Sequence, residues 1–294
     1  QNVFNKSISS LFVKIFGIIF TLLLSVFLGR TIGAEGIGLL SISKQFIGFI
    51  LIICLFGVRF VIVKELAIYQ QKKDFFAIGQ TMNSVYFFNG IFSLLLTILL
   101  IFAAPWIANS IFKNADLEFP LLISVLVIPF QLFSRLFGSA LLGFNKVWQS
   151  SLVDNVLSTF LSILLLCIFY SLNNESITVN NVAIIYAISR VITMCTLGYY
   201  WRLTFSYKVG KDLEIQRLLK TSMPLFVLSL STFLMFQIDS LILGSFIDAR
   251  AVGVFAVASS ISLLCNFLLQ ISSQAISPRF AVLYEKNKIN ELQV

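Results

Sequence analysis

Long runs of apolar residues alternate with short polar connections along almost the whole chain. Each run is about 20 residues long, which is enough for an α-helix to cross a hydrocarbon layer roughly 30 Å thick. Only helices and closed barrels satisfy their own backbone hydrogen bonds in lipid, and runs of this length favour helices. The pattern predicts eight spans: residues 8–29, 37–57, 81–104, 117–139, 150–171, 182–203, 222–244 and 252–277.

The first run has the position of a cleavable signal peptide but not its pattern. It is long, it contains Lys14, and it ends at Leu28, Gly29 and Arg30 instead of at a small-residue cleavage site. We therefore interpret it as a true span. Gln1 stands where a start methionine is expected and the polar residues 284–294 follow the last span, so we also expect the sequence to be a fragment.

Composition supports a membrane protein and gives little support to an enzyme. The chain is 58% hydrophobic, with a mean hydropathy of +0.95, which is not typical of a soluble domain. It contains no histidine, the commonest general base and metal ligand. The glycines between residues 29 and 38 follow no predicted strand and precede no Gly-Lys-Ser/Thr, so they do not indicate a nucleotide site. We expect no enzymatic activity, no cofactor and no metal; the four cysteines lie in apolar runs without metal-ligand spacing.

The 21 Lys and Arg residues are distributed asymmetrically. Most of them lie in alternate connections, including residues 58–80 and 204–221, whereas the other connections hold only Arg30, Lys113 and Arg250. The positive-inside rule places the basic side and the N-terminus in the cytoplasm. The net charge of +8 is thus explained by membrane topology, and we expect membrane lipids, not nucleic acid, as its partners.

The chain resembles itself at an offset of about 215 residues, in the manner of an internal repeat. Four residues of the turn between spans 1 and 2 recur in the turn between spans 7 and 8: Gly29, Ile32, Ala34 and Gly38 correspond to Gly244, Ile247, Ala249 and Gly253. Glycine-rich turns can also look alike by chance. A true parallel repeat predicts two pseudo-symmetric six-helix bundles and about twelve spans in the intact protein.

These observations predict an all-α polytopic membrane protein, of which the first bundle and two helices of the second are present. The expected domains are an N-terminal six-helix bundle at residues 1–206, a cytoplasmic linker at 207–221, and the start of the C-terminal bundle at 222–294.

Several segments resemble a known family, the Wzx-type flippases for lipid-linked oligosaccharides in polysaccharide biosynthesis. This family belongs to the multidrug/oligosaccharidyl-lipid/polysaccharide exporter superfamily. The segments are structural signatures: 28–40 (LGRTIGAEGIGLL), 64–67 (KELA), 141–146 (LLGFNK), 237–244 (QIDSLILG), 251–258 (AVGVFAVA) and 277–281 (SPRFA). The resemblance implies twelve to fourteen helices and a bacterial plasma membrane location. It also implies an undecaprenyl-pyrophosphate-linked oligosaccharide as substrate, and the polysaccharide polymerase machinery as a partner.

Four charged residues within the spans are the candidate substrate-binding residues: Arg190, Lys44, Lys14 and Asp239. A charge at membrane depth costs several kcal/mol on most estimates unless it faces water or a partner. Cations lining a hydrated cleft would hold the two phosphates of the lipid carrier, and Asp239 would accept a coupling ion or pair with one of the cations. The alternative is that Lys and Arg extend toward the headgroups or pair with a neighbouring helix.

Three other functions remain open at this point. A flippase for the peptidoglycan precursor lipid II would bind the same pyrophosphate. Such flippases tend to carry several arginines along their first helices, whereas the first two spans here carry Lys14 and Lys44. A multidrug exporter would need embedded carboxylates for organic cations, whereas the embedded charge here is mostly positive. A membrane glycosyltransferase or polymerase would need an acidic site and long outer loops, and the longest outer loop, residues 105–116, is short.

Overall fold

The computed structural model describes residues 2–151, 156–172, 177–205 and 213–262. Within these ranges every regular element is helical, which confirms the all-α prediction. The α-helices are α1 (Asn2–Thr31), α2 (Gly33–Leu55), α3 (Val58–Lys72), α4 (Phe75–Trp106), α5 (Glu118–Leu126), α6 (Ile128–Gly143), α7 (Val147–Ser151), α8 (Ser158–Leu172), α9 (Val179–Thr204), α10 (Ile215–Phe236), α11 (Asp239–Phe246) and α12 (Ala249–Ser262). The first seven predicted spans fall on one or two of these helices each, apart from residues 152–155, and the eighth begins in α12; residues 152–155 and 263–277, with the predicted signature at 277–281, lie outside the described residues.

Four helical segments in the described ranges are long and apolar enough to cross a membrane alone. They are Gly33–Leu55, Phe75–Ile111, Val179–Thr204 and Ile215–Phe236. The pair α5 and α6 makes a fifth span if its 45° bend lies within one crossing. Three shorter apolar helices, Ile15–Thr31, Ser158–Leu172 and Ala249–Ser262, lie where the remaining spans were predicted. The protein is therefore a multi-pass membrane protein.

A stripe of large apolar side chains on α4 points away from the rest of the protein. Its members recur every three or four residues, the spacing of one helix face. Phe102 is 80% exposed and Leu99 is 64% exposed, and the stripe also contains Phe87, Ile91, Leu95, Ile98 and Trp106. So large an apolar surface would be unstable in water but is the natural contact with lipid. This face of α4 therefore identifies the lipid-exposed side.

Several spans are broken helices, which the hydropathy pattern does not reveal. Phe56 and Gly57 both adopt left-handed backbone conformations, with φ of 48° and 72°, and separate α2 from α3. Pro129 lies at the start of α6, where its missing N–H interrupts the helical hydrogen bonds after α5. The seventh span is interrupted at Gln237 and Ile238, between α10 and α11. The uninterrupted fourth and seventh spans predicted from hydropathy are thus each two helices.

Packing divides the buried side chains into two clusters. The larger cluster joins α2 to α3, α4, α5 and α6 and includes Leu51, Ile62, Met82 and Leu132. The smaller one joins α1, α2, α8 and α9 and includes Leu28, Leu40 and Leu166. Because α2 contributes to both, it lies at the centre of the first unit.

The chain divides into two compact units, Gln1–Ala256 and Val257–Val294. All the sites described below belong to the first unit. The predicted domain boundaries at residues 206 and 221 stay a prediction.

Candidate functional site

Two of the predicted cations, Lys44 on α2 and Arg190 on α9, lie close together. The charge of the Arg190 guanidinium acts on the Lys44 ammonium and on the Tyr186 hydroxyl. Two helices that are far apart in the sequence therefore bring these three side chains into one cluster, which we call the cationic cluster. Sequence reasoning identified the two cations but not their proximity, and it missed Tyr186.

The cationic cluster lies deep in the span. The N-terminal ends of α2 and α9 are adjacent, since a β-carbon on Gly36 would lie 2.9 Å from Cγ2 of Val179. Lys44 and Arg190 each follow the start of their helix by about three turns, or roughly 16 Å at about 1.5 Å per residue. That depth is close to the centre of a hydrocarbon layer about 30 Å thick. The two cations are thus at the same level, far from either headgroup region.

The side chain of Lys44 is exposed, although protein atoms lie near it on many sides. Tyr186 and Arg190 are likewise partly exposed. The cationic cluster therefore joins α2 and α9 and leaves part of each of its side chains exposed.

The helix that carries Arg190 is fixed by small polar contacts on its other face. The hydroxyls of Ser162 on α8 and Ser189 on α9 lie 2.8 Å apart, and both residues are buried. Ser189 also donates to the carbonyl of Ile185. Serines of this kind let membrane helices approach closely and hydrogen bond to each other. Arg190, next to Ser189, is thereby held at a defined position on a rigid helix.

The two other predicted site residues do not join the cluster through any contact described here. Lys14 lies within α1, but its side chain is outside the described part of the structure. Asp239 is the first residue of α11, immediately after the break in the seventh span, and its side chain is exposed. The roles of both residues stay predictions.

A second charged cluster, which we call the α10 anchor, ties the start of α10 to α3 and α4. Arg217 donates to the Glu65 carboxylate at 3.3 Å, to the Tyr69 hydroxyl at 2.8 Å, and to Glu214 at 2.7 Å. The backbone N–H of Glu214 donates to the Ser84 hydroxyl at 3.0 Å. Partial burial raises the pKa of Glu65, and the charge of Arg217 partly opposes this shift. Sequence reasoning placed Arg217 in a basic connection and Glu65 in a family signature, and it did not predict their contact.

A pocket of about 390 Å³ lies at the opposite end of the helices, and we call it the terminal pocket. Its floor is apolar, with Ile42 and Phe112, and its rim carries both signs of charge: Glu35, Lys113, Asp248 and Arg250. It is formed by the N-terminal half of α2, the loop after α4, and the end of α11 with the turn to α12. Two of these three segments are the predicted repeat.

The described residues contain no group of three or more His, Cys, Asp or Glu side chains placed to hold a metal ion.

The comparisons with known proteins agree with this architecture. The sequence profile of a family described as "Polysaccharide biosynthesis protein" matches residues 3–283. The chain belongs to this family. None of the curated protein sequences matches the chain significantly.

A solved structure named "protein A" has a similar fold, with a TM-score of 0.72, at 15% sequence identity. The similarity covers 95% of this chain and 64% of that one, so the chain spans less than two thirds of the length of that structure. At this identity the comparison supports the fold alone.

Proposed function

We propose that the protein is a flippase that moves an undecaprenyl-pyrophosphate-linked oligosaccharide across the bacterial plasma membrane by alternating access. Membership of the polysaccharide biosynthesis family supports a role in the export of glycan intermediates. The observation that supports the proposal further is the cationic cluster, whose partly exposed side chains lie at mid-membrane depth and would line the transport cleft.

The electrostatic requirement of this substrate fits the cationic cluster. A pyrophosphate carries at least two negative charges, which hydrocarbon excludes strongly. Lys44 and Arg190 repel each other when they are close, so an anion between them would relieve that repulsion as well as gain its own contacts. Arg190 would bind phosphate oxygens bidentately, Lys44 would act as a point charge, and the Tyr186 hydroxyl would donate a further hydrogen bond.

Topology completes the proposal. The positive-inside rule places the N-terminus and the α10 anchor in the cytoplasm, and the terminal pocket outside. The sugar and pyrophosphate would enter the cleft from the cytoplasm while the polyprenyl tail stays in lipid. Asp239, exposed at the break of the seventh span, is the proposed site for a coupling cation.

The competing substrates differ from the proposed one in charge or in sugar. Lipid II carries the same pyrophosphate and would use the same cations, so it stays the main alternative. An organic cation would be repelled by Lys44 and Arg190, which makes a multidrug exporter the weaker candidate.

The direct experiment measures translocation of a fluorescent lipid-linked oligosaccharide in proteoliposomes that contain the complete natural protein. We expect Lys44→Ala and Arg190→Ala each to slow translocation at least about tenfold, since each removes a charge-assisted contact worth roughly 1.5–3 kcal/mol. Arg190→Lys should retain part of the rate, because the charge remains while the bidentate geometry is lost.

Lys64→Ala is the matched control, because Lys64 is an exposed cation on α3 outside the cleft. It should leave the rate unchanged. Translocation at the parent rate in both Lys44→Ala and Arg190→Ala would refute the cationic cleft. If lipid II were transported faster than the lipid-linked oligosaccharide, we would conclude that lipid II is the substrate.

A further inference from the structure

The terminal pocket has a closely packed apolar floor. Ile42 is 2% exposed and Phe112 is 9% exposed, and both line the pocket. A β-carbon on Gly244 would lie 2.7 Å from Cδ1 of Ile42 and 3.5 Å from Cδ1 of Phe112, so these three residues already pack against one another. The pocket volume of about 390 Å³ falls within the range of roughly 300–1,000 Å³ that is typical of small-molecule sites.

The terminal pocket and the cationic cluster lie on different faces of α2. Glu35 on the rim and Ile42 on the floor are seven residues apart, which places them on one face of the helix, roughly 10 Å apart along its axis. Lys44 follows Ile42 by two residues, and residues at this spacing do not face the same side of a helix. The pocket is therefore separate from the proposed substrate-binding cations.

Large apolar side chains lie exposed beside the charged rim of the pocket. Phe246 and Ile247 both line the pocket, and they are 84% and 49% exposed. Trp106 ends α4 on its lipid-exposed face, six residues before the pocket residue Phe112. Since tryptophan prefers the headgroup level, the pocket opens at the membrane surface. One ligand could there place polar atoms among the charges and apolar atoms against Phe246 and Ile247.

The rim carries two acidic and two basic side chains, all of them exposed: Glu35, Asp248, Lys113 and Arg250. In the described part of the chain, no ion pair joins one of these four side chains to another. Asp248 accepts a hydrogen bond from the backbone N–H of Ala251 at 3.4 Å, which holds its carboxylate at the start of α12. A ligand with one sign of charge would meet repulsion as well as attraction at this rim, whereas a zwitterion would be attracted by both pairs.

We propose that the terminal pocket binds the headgroup of phosphatidylethanolamine from the surrounding membrane. Arg250 and Lys113 would hold the phosphate, the arginine through two parallel hydrogen bonds. Glu35 and Asp248 would accept hydrogen bonds from the ammonium, and the acyl chains would lie beside the exposed apolar residues of α11. This lipid site goes beyond the proposed function, because binding there requires no transport of a substrate.

The charges and donors of the headgroup predict which lipids the pocket distinguishes. Phosphatidylethanolamine has a primary ammonium with three N–H donors for the two carboxylates. The quaternary ammonium of phosphatidylcholine has no N–H donor. Phosphatidylglycerol keeps the phosphate but has no cation, so its negative charge would face Glu35 and Asp248 without compensation. The pocket should therefore prefer phosphatidylethanolamine to both.

Lipid titration of the complete natural protein tests this preference. The protein would be freed of lipid in detergent and mixed with each of the three phospholipids, and native mass spectrometry would count the lipids that remain bound. We expect the Kd for phosphatidylethanolamine to be at least about tenfold lower than for the other two, since each of those lacks charge-assisted contacts. Equal binding of the three lipids would overturn the proposal.

Soluble glycerophosphoethanolamine distinguishes a membrane lipid from a free zwitterion, because it has the headgroup without the acyl chains. We expect it to bind at least about tenfold more weakly than the lipid, since it lacks the apolar contacts. Binding as tight as that of the lipid would show that the pocket takes a free zwitterion, and the lipid assignment would be wrong.

Glu35→Gln combined with Asp248→Asn removes both negative charges from the rim and keeps the size of each side chain. The rim then carries only cations, so the preference should invert, with phosphatidylglycerol bound about tenfold more tightly than phosphatidylethanolamine. Asp116→Asn combined with Glu118→Gln is the matched control, because it removes two acids after α4 that do not line the pocket. An unchanged preference in the first variant, or a lost preference in the control, would contradict the site.

Lys113→Gln combined with Arg250→Gln gives a second test, which does not depend on the folding of the acidic variant. All three lipids carry the phosphate, so each should bind at least about tenfold more weakly to this variant. Thermal unfolding in phosphatidylcholine micelles at the parent temperature would show that the variant is folded. Lipid affinities equal to those of the parent would place the lipid elsewhere on the protein.

Discussion

Gly57 shows how one residue determines the path of a span. Its φ of 72° is a conformation that residues with a β-carbon rarely adopt, and it follows Phe56, which is also left-handed. A β-carbon on Gly57 would lie 2.5 Å from the carbonyl oxygen of Ser222 and from the backbone nitrogen of Phe226. The break between α2 and α3 thus depends on glycine for its backbone angles and for the close approach of α10.

Gly57→Ala should therefore destabilise the protein by about 2–4 kcal/mol, the sum of left-handed strain and overpacking. Thermal unfolding in detergent measures the effect. Gly48→Ala on α2 is the control, because its β-carbon meets only ordinary contacts, and it should unfold within a degree or two of the parent. Equal unfolding temperatures for the two variants would show that the break tolerates a β-carbon.

At the scale of elements, α10 is held at its N-terminal end by the α10 anchor and further along by stacking. The rings of Phe56 and Phe226 are stacked at 4.8 Å between centroids, close to Gly57. In the ion pair of the anchor, the Arg217 side chain is 55% exposed and the Glu65 side chain is 17% exposed. Its contribution should therefore depend on the charge of Glu65.

The pH dependence of Arg217→Met tests the α10 anchor. A carboxyl whose folded pKa is raised stabilises the fold at low pH, and this stability is lost as pH rises through its folded pKa. Removing Arg217 raises that pKa further, so the stability deficit of the variant should grow from about pH 4.5 upward, to roughly 1 kcal/mol. Thermal unfolding from pH 4 to 8 measures it, and adding Glu65→Gln should abolish the pH-dependent part. If the stability deficit of Arg217→Met did not change with pH, the ion pair between Arg217 and Glu65 would not contribute to the stability of the fold.

The break between α10 and α11 leaves Asp239 in the first turn of α11. The helix dipole favours a carboxylate there, by about 0.3–1 kcal/mol, and asparagine has the same size, so Asp239→Asn should preserve α11. We expect this variant to lose the stimulation of transport by an imposed proton or sodium gradient, with gradient-independent exchange unchanged. Translocation measured with and without each gradient tests this role. Stimulation equal to that of the parent would leave Asp239 with no role beyond its favourable charge in the first turn of α11.

At the scale of the whole molecule, the proposed substrate cleft with its two cations should be stabilised by an anion that binds there. A ligand at about 100 times its Kd adds roughly 2.7 kcal/mol of stability to the state that binds it. Undecaprenyl pyrophosphate should therefore raise the unfolding temperature of the complete protein, whereas undecaprenol, which lacks the charge, should not.

The double variant Lys44→Gln, Arg190→Gln should lose the shift caused by the pyrophosphate while it keeps its own folding. High salt should also reduce that shift in the parent, because screening weakens the contact. An equal shift in the parent and the double variant would place the pyrophosphate elsewhere on the protein.

The sequence by itself determined the features that depend on local composition. Hydropathy gave the location of the spans because the free energy of placing a residue in lipid is nearly independent of its distant neighbours. Family membership also followed from short linear signatures, including the turn that contains Gly29 and Gly38, and the family profile confirms it.

Tertiary structure alone decided how distant residues meet. Lys44 and Arg190 lie on helices separated by most of the first bundle, and only the packing of α2 against α9 makes their charges interact. The helix breaks and the close approach of α10 to Gly57 likewise depend on distances between backbones. Hydropathy is a property of single residues along the chain, whereas an ion pair or a close contact between helices depends on side chains and backbones that only the fold brings together.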